Sequence, residues 1–344
     1  MTLWAEIHEQ PAVLEQAIAA GDGRLVDVSS FASRRGFDHV VIAARGTSDN
    51  AARYAQYLWG YRNRLSVGLA APSLFTMYQR PPRLDRALVV AISQSGQSPD
   101  LVAVLAEAKR QQRPTVAITN EPASPLARTA DVIVDVGAGV EEAVAATKTY
   151  TAQLCAIAML SLALDPSRDD RRSIARIPEA TADVLSSSAA IAGEVAHLAD
   201  ADHAVVLGRG FNHATAFEWS LKLQELTRLL AHPYSTADFR HGPVAVIGRG
   251  FPVLMVDPGG APHAGNAELV DVLRRRGAVT TSISDDDASL AAADHPIRLS
   301  GGLPEWLTPI SAIVAAQLFT YHLVVARGMD PDAPQGISKV TRTR

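Results

Sequence analysis

The segment Asp38-His39-Val40-Val41-Ile42-Ala43-Ala44-Arg45-Gly46 returns 164 positions later as Asp202-His203-Ala204-Val205-Val206-Leu207-Gly208-Arg209-Gly210. The same shift carries Ala87–Ile92 onto Phe251–Val256 and Thr115–Thr119 onto Val279–Ile283. These runs, like His39–Ala44 and Asp131–Val136, are short, apolar and rich in β-branched residues, and they end in Gly, Ser, Asn or Asp. Helical spacing follows them over Asn50–Trp59, Asp100–Gln111 and Ala143–Leu164. Strands alternating with helices predict βαβ units and a parallel sheet. Continuously apolar strands are what a sheet covered on both faces requires. A fixed offset over three strands in order indicates duplication. The predicted fold is therefore α/β, with two tandem duplicated domains, each a parallel sheet flanked by helices in three layers. The expected boundaries are 1–170 and 201–344. A helical connection is expected over 171–200, where the charged stretch Asp165–Arg176 gives way to the helical pattern of Pro178–Leu198. The tail Arg327–Arg344, with Gly328, Pro331 and Pro334, reads as irregular.

Composition narrows the class of function. Apolar residues make up 47% of the 344, enough for sizeable cores, and the net charge is only −4. That balance leaves no basic stripe for nucleic acid or a membrane surface. Glu6, Glu9 and Glu15 interrupt any N-terminal signal pattern. The longest apolar run, placed around Ala152–Leu164, is too short to span a bilayer. The single cysteine, Cys155, lies in that run and reads as core. The ten histidines are scattered, with no metal-ligand spacing beside a carboxylate. These features predict a cytoplasmic protein that uses neither metal nor cofactor.

Strand Ala87–Ile92 ends in Ser93-Gln94-Ser95-Gly96-Gln97-Ser98, and a helix is expected from Pro99-Asp100. The carboxyl end of a parallel strand is where open α/β sheets bind ligands. Small hydroxyl residues there let backbone N–H and O–H donors converge on one anion, and the helix N-terminus adds positive potential. Neither a Gly-x-x-x-x-Gly-Lys nor a Gly-x-Gly-x-x-Gly pattern is present, so a nucleotide loop is not indicated. Taken alone, Ser98 is equally an N-cap, and Ser93 and Ser95 turn residues. The repeat weighs against that, because the corresponding segment is Asp257-Pro258-Gly259-Gly260. The fold does not require the serines, so they point to phosphate, with one such cradle per chain. A second polar loop, Gly46-Thr47-Ser48-Asp49-Asn50, follows the first strand and is expected beside it. The alternative there is a helix cap by Ser48 or Asp49.

Seven segments together resemble the SIS (sugar isomerase) domain proteins. They are Glu6–Pro11, Arg45–Ser48, Ser93–Gly96, Val144–Lys148, Leu221–Glu225, His241–Pro243 and the tail reaching Lys339-Val340-Thr341. The resemblance runs along essentially the whole chain and takes in the isomerase half of glutamine–fructose-6-phosphate aminotransferases, while the closest similarity is to the SIS-type glucosamine-6-phosphate deaminases. Ser95–Asp100, Ala145–Tyr150 and Gly328–Asp332 look like the SIS-type glucosamine-6-phosphate deaminases. The chain begins just before that half, so a glutaminase domain and its cysteine nucleophile are expected to be absent.

The resemblance implies a phosphorylated hexosamine as partner, a homodimer with shared sites, and proton transfer between sugar C2 and C1 without a cofactor. It makes Glu225 the base, with Lys222 beside it. The helix expected over Ala214–Leu230 spaces Glu218, Lys222 and Glu225 along one face. Without the resemblance, this trio reads as a solvated face with an ion pair. His241, in Asp238–Pro243, matches the ring-opening histidine supplied by the neighbouring subunit. Lys339 matches the lysine that approaches the sugar carbonyl. Phosphate and sugar contacts fall to Gly46, Thr47, Ser48, Ser93, Gln94, Ser95 and Ser98, with Val144 and Ala145 beside the hydroxyls. Gln224, Trp219 and Ser338 depart from the family's usual residues. They leave three exits open after C2 deprotonation: reprotonation at C1, loss of ammonia from C2, or loss of the 3-hydroxyl. The leading expectation is isomerisation with deamination of glucosamine 6-phosphate; the alternatives are dehydration of N-acetylglucosamine 6-phosphate and a non-catalytic sugar-phosphate sensor that needs no base.

Overall fold

The computed structural model describes residues 2–339, and over 22–30 and 32–35 only the backbone. The described residues fall into two compact units. One comprises 12–141, 148–175 and 338–339, the other 2–11, 142–147 and 176–337. We call them the first and second units.

The first unit holds a five-stranded parallel sheet ordered β2-β1-β3-β4-β5. Its strands are β1 His39–Ala43, β2 Ser66–Leu69, β3 Ala87–Ser93, β4 Thr115–Thr119 and β5 Val132–Asp135. The sheet of the second unit has the same order in the duplicate strands, β7-β6-β8-β9-β10. These are β6 His203–Gly208, β7 Leu230–Ser235, β8 Pro252–Val256, β9 Val279–Ser284 and β10 His295–Arg298. The duplication reaches single contacts. Asp131 accepts the Thr115 N–H and hydroxyl at 3.0 and 2.9 Å. Asp294 does the same for Thr280 at 2.8 and 2.9 Å. Arg45 (φ −142°) and Arg209 (φ −140°) precede Gly46 and Gly210, both with positive φ, which is why glycine follows each first strand.

The helices that matter for the two sheets and the site are α1 Thr2–His8, α2 Gln10–Arg35, α3 Gly46–Asn63, α4 Pro99–Arg110, α5 Lys148–Leu164, α6 His213–Thr227, α7 His263–Arg275 and α8 Thr308–Ala326. In the first unit, Leu101, Val104, Leu105 and Ala108 of α4 pack on Val89 and Ala91 of β3. Helices α3 and α5 pair, with the Trp59 indole N–H donating to the Ile157 carbonyl at 3.2 Å. Cys155 is buried in α5, and burial pushes its thiol pKa up to about 12, so it is core and inert. In the second unit α8 is the central helix, packing against α6.

Several elements differ from their expected bounds. The stretch Gly46–Asn50 is the first turn of α3 instead of a loop. Helix α5 starts at Lys148, leaving Ala143–Thr147 as a bend. Helix α6 ends at Thr227, with Arg228 in the left-handed conformation, and Leu230 opens β7. Among the described residues the longest apolar helical stretch is Glu305–Ala326, α8 with the 3₁₀ turn before it, not Ala152–Leu164. It is long and apolar enough to cross a membrane, but 83% of its apolar window is buried, as in a core helix.

Candidate active site

In the first unit, β1 is flanked by β2 on one side and β3 on the other. The progression of strand order reverses there, and at such a switch point a crevice opens at the carboxyl ends of the two strands, here β1 and β3. Two helix N-termini face it, because α3 begins at Gly46 and α4 at Pro99. Ser93 closes β3, and its hydroxyl accepts the Gly96 N–H at 3.1 Å. The Ser95 hydroxyl accepts the Gln97 N–H at 3.4 Å. The Gln94 carbonyl takes the Asn120 N–H at 3.1 Å, which braces the loop on the turn after β4. Gly96 has φ +59°, and a Cβ there would lie 2.1 Å from the Ser124 hydroxyl oxygen. Only glycine fits this turn. Ser98 occupies the N-cap position of α4, yet its side chain makes no capping bond. Among the described residues, the N–H groups of Ser95 and Ser98 have no acceptor. Capping therefore does not account for Ser98. On the β1 side, Ser48 is buried in α3, and its hydroxyl accepts from Gln153 at 3.1 Å. Arg45 donates to the buried Asp100 carboxylate at 2.8 Å and ties the two helix starts together.

The corresponding crevice of the second unit is already filled with carboxylates. Asp257, 3% exposed, stands where Ser93 stands. It accepts from Asn266 at 2.6 Å and from Ser289 at 2.7 Å. Asp285 takes the Gly259 N–H at 2.7 Å, and Glu305 takes the Ala261 N–H at 2.9 Å. Loop donors of the kind that would hold a phosphate are satisfied from within, and the carboxylates would repel an added anion.

The second unit carries the proton-transfer candidates. On α6, Lys222 donates to Glu225 at 2.5 Å and lies 3.4 Å from Glu218. The side chains of Lys222 and Glu218 are 3% and 0% exposed, whereas that of Glu225 is 24% exposed. Burial opposes the lysine charge, but the Glu218 and Glu225 carboxylates outweigh it and hold the ammonium above the ordinary lysine pKa. The trio is thus a buried charge network with one accessible carboxylate, not a solvated face. Gln224 is used structurally, donating to the Ala231 carbonyl at 3.0 Å at the start of β7. Trp219 is fully buried and meets Phe319 edge-on, with ring centroids 5.4 Å apart. It is a core residue. His241 is exposed at the end of a short helix, before Gly242 with φ +137°. Val144 and Ala145 lie in the 142–147 bend. The buried Glu6 carboxylate holds that bend by accepting the Glu142 and Ala143 N–H groups at 2.5 and 3.2 Å. That gives the Glu6–Pro11 motif a task which spacing could not reveal.

Lys339 belongs to the first unit, where its ammonium donates to Glu141 at 2.8 Å. Val340 and Thr341 of the tail motif lie outside the described residues.

A model of the SIS domain matches residues 35–163 and again 197–327, one match over each sheet. The chain belongs to the SIS domain family. A glutamine–fructose-6-phosphate aminotransferase [isomerizing] of Methanothermobacter thermautotrophicus is 33% identical over 337 residues, covering 97% of this chain. This SIS chain spans 56% of that relative's length. The C-terminal domain of the glucosamine-fructose-6-phosphate aminotransferase of Francisella tularensis superposes with a TM-score of 0.88 at 27% identity, covering 97% of this chain and 98% of that one. A glucosamine-6-phosphate deaminase of Thermotoga maritima shares the double-SIS fold, with a TM-score of 0.80 at 22% identity and all of both chains covered.

Proposed function

We propose that the protein is an enzyme of hexosamine 6-phosphates that isomerises and deaminates glucosamine 6-phosphate. The observation that carries this reading is the loop Ser93–Ser98 at the first unit's switch point, where Ser98 is not used as a cap. Two helix starts and several hydroxyl and amide donors suit a phosphate dianion. Gly46, Thr47 and Ser48 contribute from α3, and Gln94 from the loop itself. His241 opens the sugar ring from a second copy of the chain, so the working form is a homodimer.

Glu225 then removes the C2 proton, and the electron pair moves toward C1–O1 to give an enediol-type species. Return of the proton to C1 yields the 2-imino ketose. Water adds to C2, the C2–N bond breaks, and fructose 6-phosphate and ammonia leave. Lys222 holds the Glu225 carboxylate, Lys339 donates to the O1 end as charge develops, and Val144 and Ala145 face the sugar hydroxyls. Accessibility supports the choice of base, since Glu225 alone of the trio is reachable. Names of relatives support the substrate class, as they combine fructose 6-phosphate with amino-sugar chemistry.

The test is purified protein given glucosamine 6-phosphate in buffer. Ammonia and fructose 6-phosphate should appear in equal amounts, and Glu225→Gln should abolish both. Absence of both products from wild-type protein overturns the deaminase reading.

A further inference from the structure

Glu141 is explained neither by phosphate binding nor by the proton transfer given to Glu225. Its side chain is 0% exposed, and a carboxylate so buried must be compensated. Several donors meet it. Among them are the Thr149 N–H at 3.1 Å, the Thr149 hydroxyl at 2.8 Å and the Lys339 ammonium at 2.8 Å. Thr149 stands in the first turn of α5, so the positive end of that helix faces the same carboxylate. Glu141 and Lys339 are 198 positions apart, yet both belong to the first unit. The contact is thus a long-range bond that fixes one point near the end of the chain.

We infer that Glu141 is a positioning residue that anchors the tail through Lys339 and sets that ammonium in place before the sugar arrives. The inference rests on the reading of Lys339 as the lysine that meets the substrate. A lysine side chain has many rotamers, and a charge-assisted hydrogen bond to a rigidly held carboxylate selects among them. The Thr149 pair provides the rigidity, because it holds the carboxylate from the backbone and side chain of one helical turn. A glutamine at 141 would still accept from Thr149 but would lose the charge that Lys339 pairs with.

Thermal melting and steady-state kinetics of Glu141→Gln, Lys339→Met, Lys339→Arg and the Glu141→Gln/Lys339→Met double variant test this. Lys339→Met strands a buried carboxylate and should lower Tm by several degrees, whereas Lys339→Arg should keep it. Adding Glu141→Gln to Lys339→Met should recover most of that loss. Glu141→Gln alone should lower kcat on the order of tenfold or more, with KM for the hexosamine phosphate nearly unchanged. Strictly additive Tm changes, or Lys339→Met melting like wild type, overturn the anchor. The Lys339 variants decide the matter even where Glu141→Gln fails to fold. Wild-type protein that turns over no hexosamine phosphate defeats the functional reading, while the Tm cycle still decides whether the anchor exists.

Discussion

Gly96 is where a single residue decides the course of the serine loop. Its positive φ lets the serine loop turn back, and its missing side chain makes room for Ser124, which caps the short helix after β4. Gly96→Ala introduces left-handed strain together with a clash against that hydroxyl. The expected cost is about 1–3 kcal/mol, read from urea denaturation. Affinity for inorganic phosphate should fall in parallel in calorimetric titration. An alanine variant with wild-type stability and phosphate affinity would show that the loop is not built around this turn. Glu225 and Lys222 make a complementary point. Three-residue spacing places them on one face, but only burial separates a charge network from a surface ion pair.

At the scale of elements, the short 3₁₀ turn Ala196–Leu198 and strand β10 meet through two histidines. His197 stacks on His295 with centroids 3.8 Å apart, and its Nε2 lies 3.0 Å from the Thr281 hydroxyl. Burial first and the His295 charge second push the His197 pKa from 6.5 down to about 4. The folded unit therefore holds it neutral where an unfolded chain would protonate it. Its stabilising contribution is complete above about pH 6.5 and is lost as pH falls toward 4. Tm should drop across that window, and His197→Gln should flatten the drop. Equal slopes for both proteins would contradict this.

The sequence made some elements legible and others not, for physical reasons. Strands β1, β3, β4, β6, β8 and β9 are interior strands, mostly buried and rich in apolar or β-branched residues, and read directly. The edge strands β2, β7 and β10 were not legible. All three are partly exposed, β2 and β10 have only four residues each, and Pro233 and Pro296 interrupt β7 and β10. Helix α8 was missed because it is apolar all round and leaves no amphipathic period. The serine loop stood out because its duplicate lacks serines. Glu141 and Glu6 did not, because their partners lie 198 and 136 positions away and local spacing carries no trace of them.

For the whole molecule, duplication supplied two crevices, and their later divergence gave them different charge. Serine hydroxyls and amides face one, while Asp257, Asp285 and Glu305 occupy the donors of the other. Isothermal titration with a hexosamine 6-phosphate should therefore give one phosphate site per chain, and two equivalent sites would contradict this assignment. The chemistry proposed for the protein is proton transfer at C2 by Glu225. Its most direct test is proton NMR of glucosamine 6-phosphate with the protein in deuterated water. Wild-type protein should erase the C2 proton signal by exchange, and Glu225→Gln should leave it intact. A C2 signal that persists with wild-type protein, although the sugar phosphate binds, would contradict the account.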